Sequence, residues 1–247
     1  MREADWRTCT DSYLMLRFLW GRVSERKLRL FACACCRRIW DLLGEPHRRE
    51  IEVAERVIEG QATAEELSAA SDAARRVSDT ARTKTPSYAS TWAHLAVVYT
   101  SGMFFSENSL IALGQVVGMA AGARRDAAAL EARRERRRSP GRDPSQRRRP
   151  NRLKAEQGEQ ARLLRDVFGP LPFRDVPVAP SWLTWNGGTV PRLARAIYDE
   201  RAFDRLPVLA DALEEAGCTN AEVLGHCREP GPHVRGCWVP DLLLGRE

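Results

Sequence analysis

The amino-acid sequence predicts an all-α fold, in the form of an irregular multi-helix bundle with a smaller C-terminal helical subdomain. Apolar residues recur three and four positions apart in several segments, which is the spacing of an amphipathic helix. Helix start and stop signals frame these segments, and no run of alternating apolar and polar residues indicates a strand. Hydrophobic residues make up 43% of the chain, so there is enough apolar surface for a sizeable core.

The N-terminal half carries the clearest helical signals. Ser24 is a good N-cap residue, and a stripe of apolar residues over 28–43 follows it at helical spacing. A second helix is predicted over 48–59. Thr63 and Glu66 have the spacing of a capping box, in which each side chain accepts a hydrogen bond from the other residue's backbone N–H. This box predicts a helix from 64 to about 83.

The middle of the chain changes in composition. A buried helix is predicted over 90–100, and the apolar run 110–123 predicts another helix that continues as a solvated extension over 124–138. Between 124 and 154 the chain has 13 basic and 4 acidic residues, which leaves the rest of a chain of net charge +6 mildly acidic. The sequence therefore predicts three parts, namely an N-terminal helical bundle (1–123), an Arg-rich extension or linker that is expected to be mobile (124–154), and a C-terminal helical subdomain packed on the first (155–247).

Shorter helices are predicted for the C-terminal part. A helix over 153–168 is followed by a Pro-rich bridge, and the Asn-Gly-Gly sequence at 186–188 predicts a turn. Thr219 and Glu222 again have capping-box spacing and predict the start of a helix. The predicted helices after the turn cover 190–201, 206–216, 219–228 and 236–244.

Composition also narrows the class of protein. No stretch approaches the roughly 20 apolar residues that span a bilayer, and the charged N-terminus lacks the apolar run of a signal peptide. We therefore expect no membrane insertion and a cytoplasmic protein. The odd number of cysteines, in no regular framework, indicates reduced thiols; the seven are Cys9, Cys33, Cys35, Cys36, Cys218, Cys227 and Cys237.

Five Cys and His residues near the C-terminus are the sharpest candidates for chemistry, and they are Cys218, His226, Cys227, His233 and Cys237. Thiolate and imidazole are ligands of Zn²⁺, and three or four of these side chains could surround a tetrahedral ion. Their order, C-x7-HC-x5-H-x3-C, contains no C-x2-C knuckle, and the adjacent His226 and Cys227 project in different directions from a helix. Buried packing of the cysteines as small hydrophobes is the main interpretation. No cofactor is predicted, and zinc stays the alternative.

Eight arginines in the middle of the chain are candidate nucleic-acid contacts, and they are Arg133, Arg134, Arg136, Arg137, Arg138, Arg147, Arg148 and Arg149. The planar guanidinium binds phosphate oxygens through two parallel hydrogen bonds. The stretch contains no aromatic residue for base stacking and no helix-turn-helix or zinc-finger spacing. Two interpretations stay open, a solvated flexible insert and nonspecific contact with RNA or DNA.

Motifs for catalysis are absent from the sequence, which has no G-x-x-x-x-G-K-[ST], G-x-G-x-x-G, H-E-x-x-H or G-x-S-x-G. We therefore predict no catalytic residue and favour a non-catalytic protein-interaction or adaptor module with an unknown protein partner. Exposed aromatic side chains at Trp182, Trp185 or Trp238 would anchor such a partner. Nonspecific nucleic-acid binding and a zinc-supported protein are the alternatives.

Three segments together carry a family resemblance, namely KLRLFACACCRRIW at 27–40, ERAFDRLPVLADAL at 200–213 and HCREPGPHVRGCW at 226–238. With these segments the chain resembles a large paralogous family of uncharacterised proteins from planctomycete bacteria. The resemblance covers both ends of the chain, and it implies no established activity, ligand or catalytic residue.

Overall fold

The computed structural model describes residues 1–82, 96–97, 109–138 and 152–246. Within these ranges the secondary structure consists of eleven α-helices and two short 3-10 helices, with no strand, so the predicted all-α class is confirmed. Most of the helix predicted over 90–100 lies outside the described residues, and so does 139–151.

The α-helices of the described residues are numbered here in chain order. They are α1 (Glu3–Thr8), α2 (Ser12–Leu19), α3 (Glu25–Arg37), α4 (Glu45–Ile58), α5 (Ala64–Arg82), α6 (Ser109–Arg138), α7 (Arg152–Phe168), α8 (Pro180–Glu200), α9 (Leu206–Glu215), α10 (Ala221–Arg228) and α11 (Trp238–Leu244). The 3-10 helices are Trp40–Leu42 and Phe203–Arg205. Among the described residues, no helix combines the length and the apolar character that crossing a membrane requires.

The chain divides into two compact units. The C-terminal unit consists of Met1–Thr8, Gly21–Lys27 and Arg162–Glu247, and the central unit consists of Cys9–Trp20 and Leu28–Ala161. The C-terminal unit thus takes in two N-terminal pieces that no sequence signal marked. The three-part division expected from the sequence, with a linker over 124–154, stays a prediction.

In the central unit, the predicted apolar stripe is buried. Leu28, Phe31 and Ile39 are each 3% exposed or less, and α4 packs along α5. At the start of α5 the Glu66 backbone N–H donates to Thr63 Oγ1 at 3.2 Å, and the Thr63 N–H donates to Glu66 Oε2 at 2.9 Å. The predicted capping box is therefore confirmed.

In the C-terminal unit, α8 to α11 pack on one another around an apolar core. Helix α8 is interrupted from Trp185 to Gly188, where Trp185 has an extended ψ of 134° and Asn186, Gly187 and Gly188 have positive φ angles of 47°, 65° and 81°. Glycine tolerates this left-handed conformation without steric cost, and Asn is the residue that next adopts it most readily. The turn predicted at 186–188 is confirmed as this break.

The second predicted capping box needs a correction. Asn220, not Thr219, caps α10, since Asn220 Oδ1 accepts hydrogen bonds from the backbone N–H groups of Glu222 at 3.0 Å and Val223 at 3.3 Å. Asn220 has extended backbone angles, as an N-cap residue requires, and α10 begins at the next residue, Ala221. Asn competes well with Thr for this position, so a pattern that contains both residues does not settle the helix start.

Candidate metal centre

Four side chains of the C-terminal unit converge on one point. They are Asp166 in the last turn of α7, His226 in α10, His233 in the loop after α10, and Cys237, the residue directly before α11. One ligand atom of each lies within 4.8 Å of all the others. We call these residues the Asp-His-His-Cys cluster.

The contacts within the cluster are short. His233 Nδ1 lies 2.6 Å from Asp166 Oδ1, and His226 Nε2 lies 3.2 Å from the same oxygen and 3.1 Å from Cys237 Sγ. Cys237 Sγ lies 3.9 Å from His233 Nδ1. A tetrahedral zinc ion, about 2.0–2.3 Å from each ligand, separates its ligand atoms by about 3.3–3.8 Å. Three of these four separations lie within or close to that range, and the contact between Asp166 and His233 is shorter than the separation of two ligands on one ion.

Backbone groups also contact Asp166 and His233, at the side-chain atoms that face away from the cluster. Asp166 Oδ2 accepts a hydrogen bond from the Val234 N–H at 3.0 Å, which leaves Oδ1 directed into the cluster. His233 Nε2 lies 3.1 Å from the carbonyl oxygen of Glu229. Metal-binding histidines characteristically donate their second ring N–H to a carbonyl or carboxylate, and this bond decides which nitrogen faces the metal. In His233 that nitrogen is Nδ1.

The cluster is buried and charged. The side chains of Asp166, His226 and His233 are 5%, 13% and 10% exposed, and Cys237 is fully buried. Burial raises the pKa of Asp166, but hydrogen bonds from the two histidines outweigh burial, so this pKa lies below its ordinary value. Burial lowers the pKa of His233, but the hydrogen bond to Asp166 and the charge of that carboxylate outweigh it, so this pKa is raised.

Cys237 does not have the surroundings of a catalytic nucleophile. Burial, followed by the negative charge of Asp166, raises the pKa of its thiol well above the ordinary value. Reactive cysteines are partly exposed and have a lowered pKa, because the thiolate is the attacking species. The thiol lies 3.1 Å from His226 Nε2, but its raised pKa keeps it protonated, and the sulfur becomes a thiolate where a metal ion displaces its proton.

A cleft of about 290 Å³ lies beside the cluster. His226 and Trp238 line it, and the carboxylate-bearing Glu3, Glu222 and Glu229 contribute to its wall. The cleft therefore joins one cluster member to solvent, which is the access that a metal ion needs to reach a buried site.

The structure separates the five metal candidates derived from the sequence into two sets. It brings His226, His233 and Cys237 together, whereas Cys218 and Cys227 lie in the apolar core of the C-terminal unit. Burial raises the pKa of Cys227 to about 12 and also raises that of Cys218. His226 and Cys227 point apart from successive positions of α10, as a helix requires. All seven cysteines are free, as expected.

Asp166 is the cluster member that sequence reasoning missed. It precedes His233 by 67 residues, so no local spacing connects the two. One signal was present, because Asp166 shares the buried face of α7 with Leu163 and Val167 and is itself 4% exposed. A carboxylate at an apolar position of an amphipathic helix indicates a buried partner, since an unpaired buried charge is very costly.

The three tryptophans offered as exposed anchors are placed differently from that expectation. Trp182 and Trp238 are 7% and 1% exposed and belong to the core, while Trp185 is half-buried and packs against the same core. The expected exposure is wrong for Trp182 and Trp238, because both large apolar rings are part of the core of the C-terminal unit. A protein partner stays a prediction.

The arginine candidates divide into two groups. Arg133, Arg134 and 136–138 lie on the last turns of α6, which confirms that the helix continues into this stretch, and Arg134 is exposed. The three at 147–149 lie outside the described residues. Contact with nucleic acid stays a prediction.

No similarity to a known protein adds to these observations on the site. No family model matches the chain, no curated protein matches it, and no solved structure matches it.

Proposed function

We propose that this chain is a metal-supported protein whose C-terminal unit binds one structural Zn²⁺ ion through the Asp-His-His-Cys cluster. The observation that carries the proposal is the convergence of four ligand atoms within 4.8 Å from two helices, α7 and α10, and from the segment between α10 and α11. Packing alone does not require one carboxylate, two imidazoles and one thiol to meet at one buried point.

The ligand types favour zinc over other common ions. Zn²⁺ accepts mixed sulfur, nitrogen and oxygen ligands in tetrahedral sites, whereas Ca²⁺ and Mg²⁺ require oxygen ligands. With the thiol and the carboxyl both deprotonated, their two negative charges neutralise the ion. The buried site then has no net charge, which avoids the desolvation cost of an isolated buried ion.

The number of ligands supports a structural role. Catalytic zinc sites keep a coordination position for water or substrate, and structural sites use four protein ligands. Here Asp166 and Cys237 come from parts of the chain that α8, α9 and α10 separate. An ion bound to both connects the end of α7 to the start of α11, and the binding free energy becomes folding free energy.

Metal analysis of purified protein tests the proposal. We expect about one zinc per chain in the wild type, and loss of that zinc in Cys237→Ala. The matched control is Cys227→Ala, which removes another thiol of the same unit that is 1% exposed and lies outside the cluster. The control should keep its zinc.

Cobalt provides a second measurement. Co²⁺ in place of zinc should give the strong visible absorption of a tetrahedral site together with a thiolate-to-metal band. Zinc-free wild-type protein that also gives no cobalt spectrum, or Cys237→Ala protein that retains the metal, would contradict the proposal.

A further inference from the structure

Lys27, a buried lysine of the C-terminal unit, has an acceptor for each of its three ammonium protons. Its Nζ lies 2.9 Å from the carbonyl oxygen of Val167, 3.0 Å from that of Gly236, and 3.0 Å from Asp241 Oδ2. The side chain of Lys27 is 6% exposed. An ammonium group at this depth is stable only with such complete pairing.

Two of these acceptors are next to cluster ligands. Val167 follows Asp166 in α7, and Gly236 precedes Cys237 at the start of α11. The Val167 carbonyl belongs to the last turn of α7, where carbonyl groups lack helical partners and a positive charge is favourable. One ammonium group therefore links the backbone beside Asp166 to the backbone beside Cys237.

A second contact joins the same two places. Gly169 follows the end of α7 with φ +49°, and a Cβ atom there would lie 2.6 Å from the indole ring of Trp238. The backbone at Gly169 thus touches the side chain of the residue after Cys237. The end of α7 and the start of α11 are therefore in close contact, and the ammonium group of Lys27 bonds to the backbone of both.

Asp241 holds the ammonium group in place. This carboxylate is fully buried, and its Oδ2 also accepts a hydrogen bond from Arg26 at 2.9 Å. Arg26 donates further to Tyr198 Oη at 2.7 Å. Arg26 and Lys27 thus share one carboxylate, and Lys27 also donates to the carbonyls beside Asp166 and Cys237.

We propose that Lys27 is a positioning residue of the metal site, which aligns Asp166 and Cys237 by bridging the backbone carbonyls of Val167 and Gly236. The inference rests on the proposed function. A ligand pair supplied by distant parts of the chain must be held in place before the ion arrives, because disorder in either ligand weakens metal binding.

The experiment compares Lys27→Met with Arg26→Met. Each variant removes one of the two cations on Asp241 and leaves the other, and Lys27→Met in addition removes the hydrogen bonds to the carbonyls of Val167 and Gly236. Met keeps the length and apolar packing of the lysine stem. Zinc affinity is measured by competition with a chromophoric chelator, and the visible spectrum of the cobalt form reports the geometry at the metal.

We expect zinc affinity to fall about 10- to 100-fold in Lys27→Met, with a changed cobalt spectrum, and to stay within about threefold of wild type in Arg26→Met. Unchanged affinity and spectrum in Lys27→Met would overturn the positioning role. Equal losses in both variants would also overturn it, because they would assign the effect to the ion pairs of Asp241.

A third variant covers the case in which Lys27→Met does not fold. Lys27→Arg keeps a cation beside Asp241, but its planar guanidinium donates in different directions from an ammonium group. We expect at least about tenfold weaker zinc binding in this variant, and wild-type affinity would overturn the inference. Absence of cobalt binding in the wild type would instead overturn the proposed function, on which the inference rests.

Discussion

The imidazole of His233 lies between two acceptors, the carboxylate of Asp166 at 2.6 Å and the carbonyl of Glu229 at 3.1 Å. A neutral imidazole has only one N–H group, so it cannot donate to both. The ring therefore carries a positive charge, or Nδ1 binds a cation in place of its second proton. The raised pKa of His233 agrees with this, since Asp166 stabilises the charged ring despite its burial.

We predict that zinc affinity rises with pH. Zinc displaces the proton of Cys237, whose pKa is raised by burial and by Asp166, and below the pKa of His233 it also displaces the proton on Nδ1. Affinity should rise about tenfold per pH unit where zinc displaces only the thiol proton, and more steeply at lower pH where it also displaces an imidazolium proton. Chelator competition between about pH 5.5 and about pH 8 measures this slope, and a pH-independent affinity would count against the assigned ligands.

The metal-free protein serves as the control. We expect its free energy of unfolding to fall as the pH rises above neutrality, whereas zinc affinity rises over the same range. The lowered pKa of Asp166 stabilises the fold above the unfolded carboxyl pKa, and this contribution is lost as pH falls through the folded value. The raised pKa of His233 stabilises the fold below the unfolded imidazole pKa, and this contribution is lost as pH rises through the folded value. Together these two contributions make the metal-free fold most stable at mildly acidic pH. Bound zinc should move the pH of maximum stability upward.

Among the helices, α10 contains the cluster member His226. The side chain of Asn220 determines where this helix begins. Asn220 accepts hydrogen bonds from two backbone N–H groups that the helix leaves without partners. The helix has only eight residues, so its end groups are a large part of its hydrogen bonding. Short helices of this kind depend on their caps and on tertiary packing.

We predict that Asn220→Ala lowers the free energy of unfolding by about 1 kcal/mol, because the two N–H groups lose their acceptor. Zinc affinity should fall as well, since α10 positions His226. Urea denaturation of the metal-free protein measures the first effect, and chelator competition measures the second. Thr219→Ala is the matched control and should change the free energy by less than about 0.5 kcal/mol. A larger loss in the control would return the capping role to Thr219.

In the whole molecule, the residues of the candidate metal site belong to one of the two compact units. All four members of the cluster, Lys27 and the cleft residues belong to the C-terminal unit. The central unit contains the buried stripe of α3 and the α4–α5 pair. A metal that binds only the folded C-terminal unit stabilises that unit by mass action.

We predict that removal of zinc increases hydrogen exchange mainly within 162–246, with the largest changes near Asp166, in α10 and at the start of α11. Those segments contain the ligands, so they lose the binding free energy directly. Exchange in α4 and α5 should stay the same. Mass spectrometry of the zinc-bound and chelator-treated protein measures the difference, and Cys237→Ala with added zinc is the control. Equal changes in both units would contradict a local role for the metal.

The helical class and many of the helix positions were predictable from the amino-acid sequence. Apolar spacing predicted the buried stripe of α3, the Thr63–Glu66 pair predicted the start of α5, and the Asn-Gly-Gly sequence predicted the break in α8. These features are local, because hydrogen bonding and side-chain direction repeat every few residues along a helix. The sequence also marked three of the four cluster members by residue type alone.

Which polar side chains contact one another was not predictable from the sequence, because it depends on the packing of the folded chain. Asp166 lies beside His226, His233 and Cys237 although it belongs to a helix distant in sequence. Cys227, the neighbour of His226 in sequence, lies in the apolar core. Lys27 reached the same place from near the other end of the chain. The physical reason is that helical periodicity fixes the direction of a side chain around its own axis, whereas the meeting of two side chains depends on how whole helices pack.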